Sequence, residues 1–207
     1  MTTNDLLKKG EVLPLMEEFY SIQGEGYHTG KASYFIRIGG CDVGCHWCDV
    51  KESWDEKLHP VTKTNSIVSK AKKHANTVII TGGEPLMWDM TYITTKFQKE
   101  NIQVHLETSG SHLLTGNWDW ICLSPKKRKL PLEAIYPKVD ELKIIINTKT
   151  DFIFAVEQAK KVSEKCQLFL QPEWSRRDEM TPLIIEFVLK NPKWKISLQT
   201  HKYLNIP

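Results

Sequence analysis

Cys41, Cys45 and Cys48 follow the spacing C-x3-C-x2-C and place three of the chain's five cysteines within eight residues. Thiolates are soft ligands that suit zinc or an iron–sulfur cluster. Gly39, Gly40 and Gly44 let the backbone between them wrap closely around a bound object. A structural zinc site closes with four ligands. His46 could be the fourth, but it lies between two of the cysteines and would need a strained loop to reach their metal; His28 and Cys122 are distant in sequence. Three thiolates on a 4Fe–4S cluster leave one iron open to a substrate or cofactor, whereas most such clusters take four cysteines. A second candidate stretch, Thr81-Gly82-Gly83-Glu84-Pro85, reads alone as a tight turn into a helix with proline at its first position.

Short apolar, β-branched runs supply the elements that must position these residues. Strands are expected at residues 33–38, 77–81, 103–107, 120–124, 141–146, 167–171 and 195–199, and helices at 66–74, 90–100, 152–165 and 178–190. Residues 54–63 and 126–137 read as loops, and Lys127 to Lys129 as a solvated basic run. This alternation predicts an α/β fold: an incomplete TIM-like barrel of about six parallel strands with helices outside, in a single domain over residues 1–207. In such folds ligands gather at the carboxyl ends of the strands. The cysteine loop 39–50, Gly82–Pro85, Thr108–Gly110, Ser124–Lys126, Gln171–Pro172 and Thr200–His201 all fall there and would surround one bowl.

Composition narrows the classes. With 207 residues, 41% of them hydrophobic, the chain can bury a sizeable core. A net charge of +3 is far from the basic footprint of a nucleic-acid binder, so no nucleic-acid partner is expected. No run reaches the roughly 18 apolar residues of a membrane span, and the first residues lack a signal peptide's apolar core. A cytosolic protein with no membrane partner is therefore expected. In that reducing compartment an odd cysteine count with three clustered argues for metal or redox work over disulfides.

The cysteine spacing and its glycine-rich approach resemble the radical S-adenosylmethionine (SAM) enzymes, and Thr81 to Pro85 is similar to their GGEP element. Three further stretches resemble the 7-carboxy-7-deazaguanine synthase family: Phe19-Tyr20-Ser21-Ile22-Gln23-Gly24-Glu25-Gly26, Leu123-Ser124-Pro125-Lys126, and residues 199–207, QTHKYLNIP. The resemblance implies that Cys41, Cys45 and Cys48 hold a 4Fe–4S cluster whose open iron binds SAM. It implies SAM contacts at Trp47, Cys48, Asp49, Gly83, Glu107, Thr108, Ser124, Pro125, Lys126, Gln171, Pro172, Glu173 and Trp174. Substrate contacts are implied at Ile22, Gln23, Gly24, Glu25, Arg37, Thr81, His201 and the Pro207 carboxylate, with the tail 200–207 closing the site.

The reaction implied is ring contraction of 6-carboxy-5,6,7,8-tetrahydropterin to 7-carboxy-7-deazaguanine with loss of ammonia, on the route to queuosine and other 7-deazapurines. A 5′-deoxyadenosyl radical abstracts the C6 hydrogen and SAM is regenerated, so no side chain is assigned as acid or base. A flavodoxin or ferredoxin as electron donor and a homodimer are also implied. One position departs: the family's Mg²⁺ ligand, a Thr or Ser after C-x-x-C-D, is Val50 here, which has no oxygen to offer. Any Mg²⁺ would have to bind through substrate, water or Asp49. Two alternatives stay open at this point: another radical SAM enzyme such as a glycyl-radical activase, and a zinc-stabilised binding module.

Overall fold

The computed structural model describes residues 2–207. In chain order its elements are α1 (Thr3–Lys8), β1 (Val12–Ile22), β2 (Ala32–Ile38), β3 (Val61–Lys63), α2 (Thr64–Ala71), β4 (Thr77–Gly82), α3 (Thr91–Lys99) and β5 (Gln103–Thr108). There follow β6 (Trp120–Leu123), β7 (Glu141–Ile146), α4 (Asp151–Ala159), β8 (Gln167–Pro172), α5 (Arg177–Lys190), β9 (Trp194–Ile196) and α6 (Thr200–Leu204). One nine-stranded sheet runs β3-β1-β2-β4-β5-β6-β7-β8-β9. From β2 through β9 every neighbouring pair is parallel, whereas β1 is antiparallel to both β2 and β3. No helix among the described residues is long and apolar enough to cross a membrane.

Strand pleating sorts side chains onto two faces. One face carries Ile36, Ile38, Ile80, Leu106, Leu123, Leu142, Ile144 and Leu170, which form a single buried cluster with Ile67 of α2, Ile93 and Phe97 of α3 and Ile184 of α5. Each such side chain contributes about 1.5–3 kcal/mol on full burial. The alternate residues point to the other face: Phe35 and Arg37, Ile79 and Thr81, Glu107, Lys143 and Ile145, and Gln171 line a cavity. The sheet therefore separates an apolar layer under the helices from a polar concave interior.

Several expectations change. The seven parallel strands stand where the sequence placed them, whereas the antiparallel β1 and β3, not expected, extend the edge. Within β1, Pro14 lacks an N–H but its carbonyl accepts from Gly39 at 2.8 Å, and a register shift between Leu15 and Glu17 accommodates the polar Glu17–Glu18 pair. The expected loop 54–63 contains β3, paired to Val12–Pro14. The last strand ends at Ile196: Ser197 N–H still reaches Leu170 O (2.9 Å), but by Thr200 the backbone N–H has turned to the Gly24 carbonyl (2.9 Å). Helix α4 stops at Ala159, and the chain turns so that Gln167 N–H reaches the Asp140 carbonyl at 2.8 Å.

Candidate active site

The cavity at the carboxyl ends of the parallel strands has a volume of about 570 Å³, within the usual range for small-molecule sites. All three clustered cysteines line it, as do Trp47, Asp49 and Val50 of the same loop. The loop is held largely through its backbone. Gly40 N–H donates to Ser53 O at 2.7 Å and Cys41 N–H to Trp54 O at 3.0 Å, while Trp88 Nε1 donates to Gly39 O at 2.9 Å. From β4, Gly83 N–H reaches Ile38 O (2.9 Å) and Glu84 N–H reaches Gly40 O (2.8 Å). A Cβ on Gly83 would lie 2.3 Å from the Gly40 oxygen and 2.8 Å from Cys41 Cβ. Only glycine lets these two backbones approach so closely.

Behind this strap sits Glu84, which is 1% exposed. Its Oε1 accepts from Leu86 N–H (3.0 Å) and Thr108 Oγ1 (2.6 Å), and its Oε2 from Ser109 N–H (2.8 Å) and Ser109 Oγ. One carboxylate thus ties the end of β4 to the end of β5.

The three thiols are half-buried and unbonded to one another. Burial pushes Cys41 and Cys45 up from the ordinary thiol range, so binding a soft metal centre would release their protons. No three His, Cys, Asp or Glu side chains among the described residues are gathered to hold a single metal ion. Cys122 lies buried on β6 and Cys166 packs in the core, so neither joins the loop. The donor set is therefore three thiols around a glycine-lined hollow, which fits a cluster with one iron left open.

Opposite the loop, the cavity floor is charged. Lys143 Nζ on β7 lies 2.7 Å from Glu25 Oε2 and 3.0 Å from Glu107 Oε2. Gln23 Nε2 donates to Glu107 Oε1 (3.2 Å), and its own oxygen accepts from Glu25 N–H (3.1 Å). Burial opposes the charge on Glu25, but Lys143 beside it outweighs that and holds the carboxyl at about 2. The C-terminal segment closes one side: Thr200 binds the Gly24 carbonyl, and His201 packs so tightly on Gly24 that a Cβ there would lie 2.3 Å from its Nδ1. Burial lowers the His201 imidazole from its ordinary value. Pro207 also lines the cavity, its carbonyl oxygen accepting from Ser21 Oγ at 3.2 Å.

On the remaining wall, Ser124, Lys126, Gln171, Pro172, Glu173 and Trp174 face the same space. Lys126 Nζ donates to the Ser124 carbonyl and hydroxyl, both at 2.6 Å, and sits 5.5 Å from the centre of the Trp47 ring. Arg37 lines the cavity and pairs through Nε with Glu17 at 2.6 Å. Ile22, Thr81 and Gly83 complete the set. Of the residues given a cluster, SAM or substrate role from sequence, Pro125 is the one off the lining and is buried; Gly39, Gly40, Gly44, Glu84, Pro85, Gly110 and Thr200, placed around the bowl from sequence, also lie off it.

The site also contains residues that sequence reasoning missed. Lys143 hides in the apolar run Glu141–Ile146, and Gln199 Nε2 reaches Glu25 Oε1 at 2.9 Å. Lys202 pairs with Asp49 at 2.8 Å and lies over the Trp174 ring. The basic run is largely solvent-exposed, as expected, but it is also engaged: Lys127 pairs with Asp151, Arg128 Nη1 donates to Gly44 O (3.0 Å) and Lys129 pairs with Asp42 (2.6 Å). Two of these contacts brace the cysteine loop, so the run works as its clamp.

A model of the Radical SAM superfamily matches residues 35–128. The 7-carboxy-7-deazaguanine synthase of Flavobacterium psychrophilum is 66% identical over 201 residues, covering 97% of this chain and 96% of that protein. Those of Synechocystis and Escherichia coli K12 are 46% and 33% identical, each over 93% of this chain. The crystal structure of QueE from Escherichia coli superposes with a TM-score of 0.80 at 27% identity, covering 95% of this chain and 98% of that one.

Proposed function

The chain belongs to the 7-carboxy-7-deazaguanine synthase family of radical SAM proteins, and from that premise we propose that its cavity converts 6-carboxy-5,6,7,8-tetrahydropterin to 7-carboxy-7-deazaguanine with loss of ammonia. The observation that carries this reading is the meeting of three thiols, a glycine strap and an acidic floor around one hollow. Cys41, Cys45 and Cys48 would hold a 4Fe–4S cluster, and the backbone at Gly82 and Gly83 the amine of SAM. When bound, cluster and SAM supply the radical chemistry.

The chain's own residues bind, orient and exclude water. Trp47 and Trp174 offer flat apolar surfaces to an adenine ring, while Asp49, Ser124, Lys126, Glu107 and Gln171 to Glu173 offer polar contacts to the rest of SAM. Pro125 shapes the turn that presents its neighbours. Arg37 gives only Nε to Glu17, which leaves its terminal nitrogens for the substrate carboxylate. Ile22, Gln23, Gly24, Glu25 and Thr81 form the pterin pocket, with His201 and Pro207 in a tail that closes over it. The positioning of one C–H bond in a dry cavity is the protein's contribution to the barrier.

The residues present do not fit Mg²⁺. Val50 has an apolar side chain, its carbonyl accepts from Ser53 Oγ at 2.6 Å, and Asp49 is engaged by Lys202. A hard ion seeks oxygen ligands, and no step is assigned to it. On family grounds we add to the proposal an electron donor of the flavodoxin or ferredoxin type, a homodimer, a cytoplasmic location and a single domain across the chain.

The test is anaerobic turnover of iron-reconstituted protein with SAM, a strong reductant and the pterin, read by mass spectrometry. Formation of 7-carboxy-7-deazaguanine supports the reading. SAM cleavage without that product sinks the substrate, and no cleavage by a properly loaded cluster sinks the radical chemistry.

A further inference from the structure

Lys143 stands in the middle of a strand, is 3% exposed, and still presents its ammonium to the cavity. It bridges Glu25, from the loop after β1, and Glu107, near the end of β5. The second oxygen of each carboxylate is held from elsewhere, Glu25 by Gln199 (2.9 Å) and Glu107 by Gln23 (3.2 Å). Two carboxylates sharing one buried site cannot both stay ionised without a cation between them, and buried carboxylates alone take up protons instead.

We propose that Lys143, braced from its other side by Glu107, is a positioning residue that keeps Glu25 ionised and aimed into the cavity, so that the floor offers an oxygen acceptor to the N–H-bearing pyrimidine edge of a pterin. The proposal rests on the pterin reading above. Glu141, two residues earlier on β7, faces the same group, as do Cys122 on β6, Lys126 after β6 and His201 on α6. Burial raises Glu141 to about 7 and raises Cys122 well above the usual thiol range, so neither supplies a full negative charge at neutral pH. Burial works against the charge of Lys143, yet the surrounding carboxylates hold it well above the ordinary lysine value.

The experiment is equilibrium binding of 6-carboxytetrahydropterin to cluster-loaded protein with SAM under anaerobic conditions, from about pH 6 to about pH 9. Lys143→Met should bind at least about 10-fold more weakly than wild type at the acid end. Its deficit should shrink as the pH rises, because the orphaned Glu25 then loses the proton that Lys143 had kept off. Lys143→Gln, which keeps a donor but no charge and leaves a better chance of folding, should follow the same trend. Glu25→Gln, which removes the charge and turns one of the two acceptor oxygens into a donor, should bind weakly at every pH. A deficit constant across pH, or none, overturns the role of Lys143. If wild type itself binds no pterin, the underlying pterin reading falls instead.

Discussion

The cysteine loop and the charged floor line one cavity and are held mainly by different means. The loop depends on backbone hydrogen bonds and on glycines at close approach, from Gly39 to Gly83. The floor depends on side-chain charge, with Lys143 between two carboxylates drawn from separate elements. A wall made of packed backbone should tolerate changes of charge but not of volume. A wall made of balanced charge should do the reverse.

The sharpest way to break that contrast is Gly83→Ala. One methyl group must enter a gap where its Cβ would meet Gly40 O at 2.3 Å; overpacking of this kind costs about 1–3 kcal/mol, and here it would displace Cys41, the residue proposed to hold the cluster. Iron and sulfide bound after reconstitution should fall to a small fraction of wild type, and full cluster loading would contradict a backbone-held loop. Next in size is Glu84→Gln, which weakens four hydrogen bonds to a buried carboxylate. A loss of about 2–3 kcal/mol is expected, read as a lower urea midpoint; an unchanged midpoint would mean that the strap between β4 and β5 holds without it.

Acid sensitivity sharpens the contrast further. Burial pushes His105 down to about 3 and Lys143 holds Glu25 at about 2. Both folded values lie below the unfolded ones, so their stabilisation is complete above the unfolded values and is lost as the pH falls. The window runs from about 6.5 to 3 for His105 and from about 4.5 to 2 for Glu25, at up to about 1.4 kcal/mol per pH unit for each proton. His105→Gln should flatten the melting curve's pH dependence between about pH 6 and pH 4; an unaltered slope would remove His105 from the account.

Smaller effects come from the cavity rim. Lys202→Met removes a partly exposed pair with Asp49 and should cost less than about 1 kcal/mol of stability, measurable as a small shift in the urea midpoint. Val50→Thr supplies the oxygen that this position lacks and should increase any Mg²⁺ stimulation of turnover; an unchanged metal titration would show that the position does not govern metal use.

Legibility in the sequence follows the same division. Cysteine spacing and paired glycines are local signals, so the loop and its strap stand out in a linear reading. The parallel strands also stand out as β-branched runs, but both of their faces are covered, and such runs do not mark which residues point inward. Lys143 is therefore hidden within ELKIII, and its meeting with Glu25 depends on strand order that no local pattern encodes. Strand β1 escapes notice because Pro14 and Glu17–Glu18 interrupt its apolar run, while its hydrogen bonds are made to distant β2 and β3. Arg128 and Lys129 look solvated because their partners lie more than 80 residues away in sequence, at Gly44 and Asp42.

Whether the two walls serve one reaction is tested most directly by the coupling between their ligands. Pterin affinity should be measured on cluster-loaded protein with and without SAM, and SAM affinity with and without pterin. If cofactor and pterin share the cavity side by side, each should tighten the other severalfold and by the same factor, as linkage requires. Mutual exclusion would mean that the cavity holds only one at a time, and strict independence that the loop and the floor belong to separate sites; either result would contradict a single active site between them.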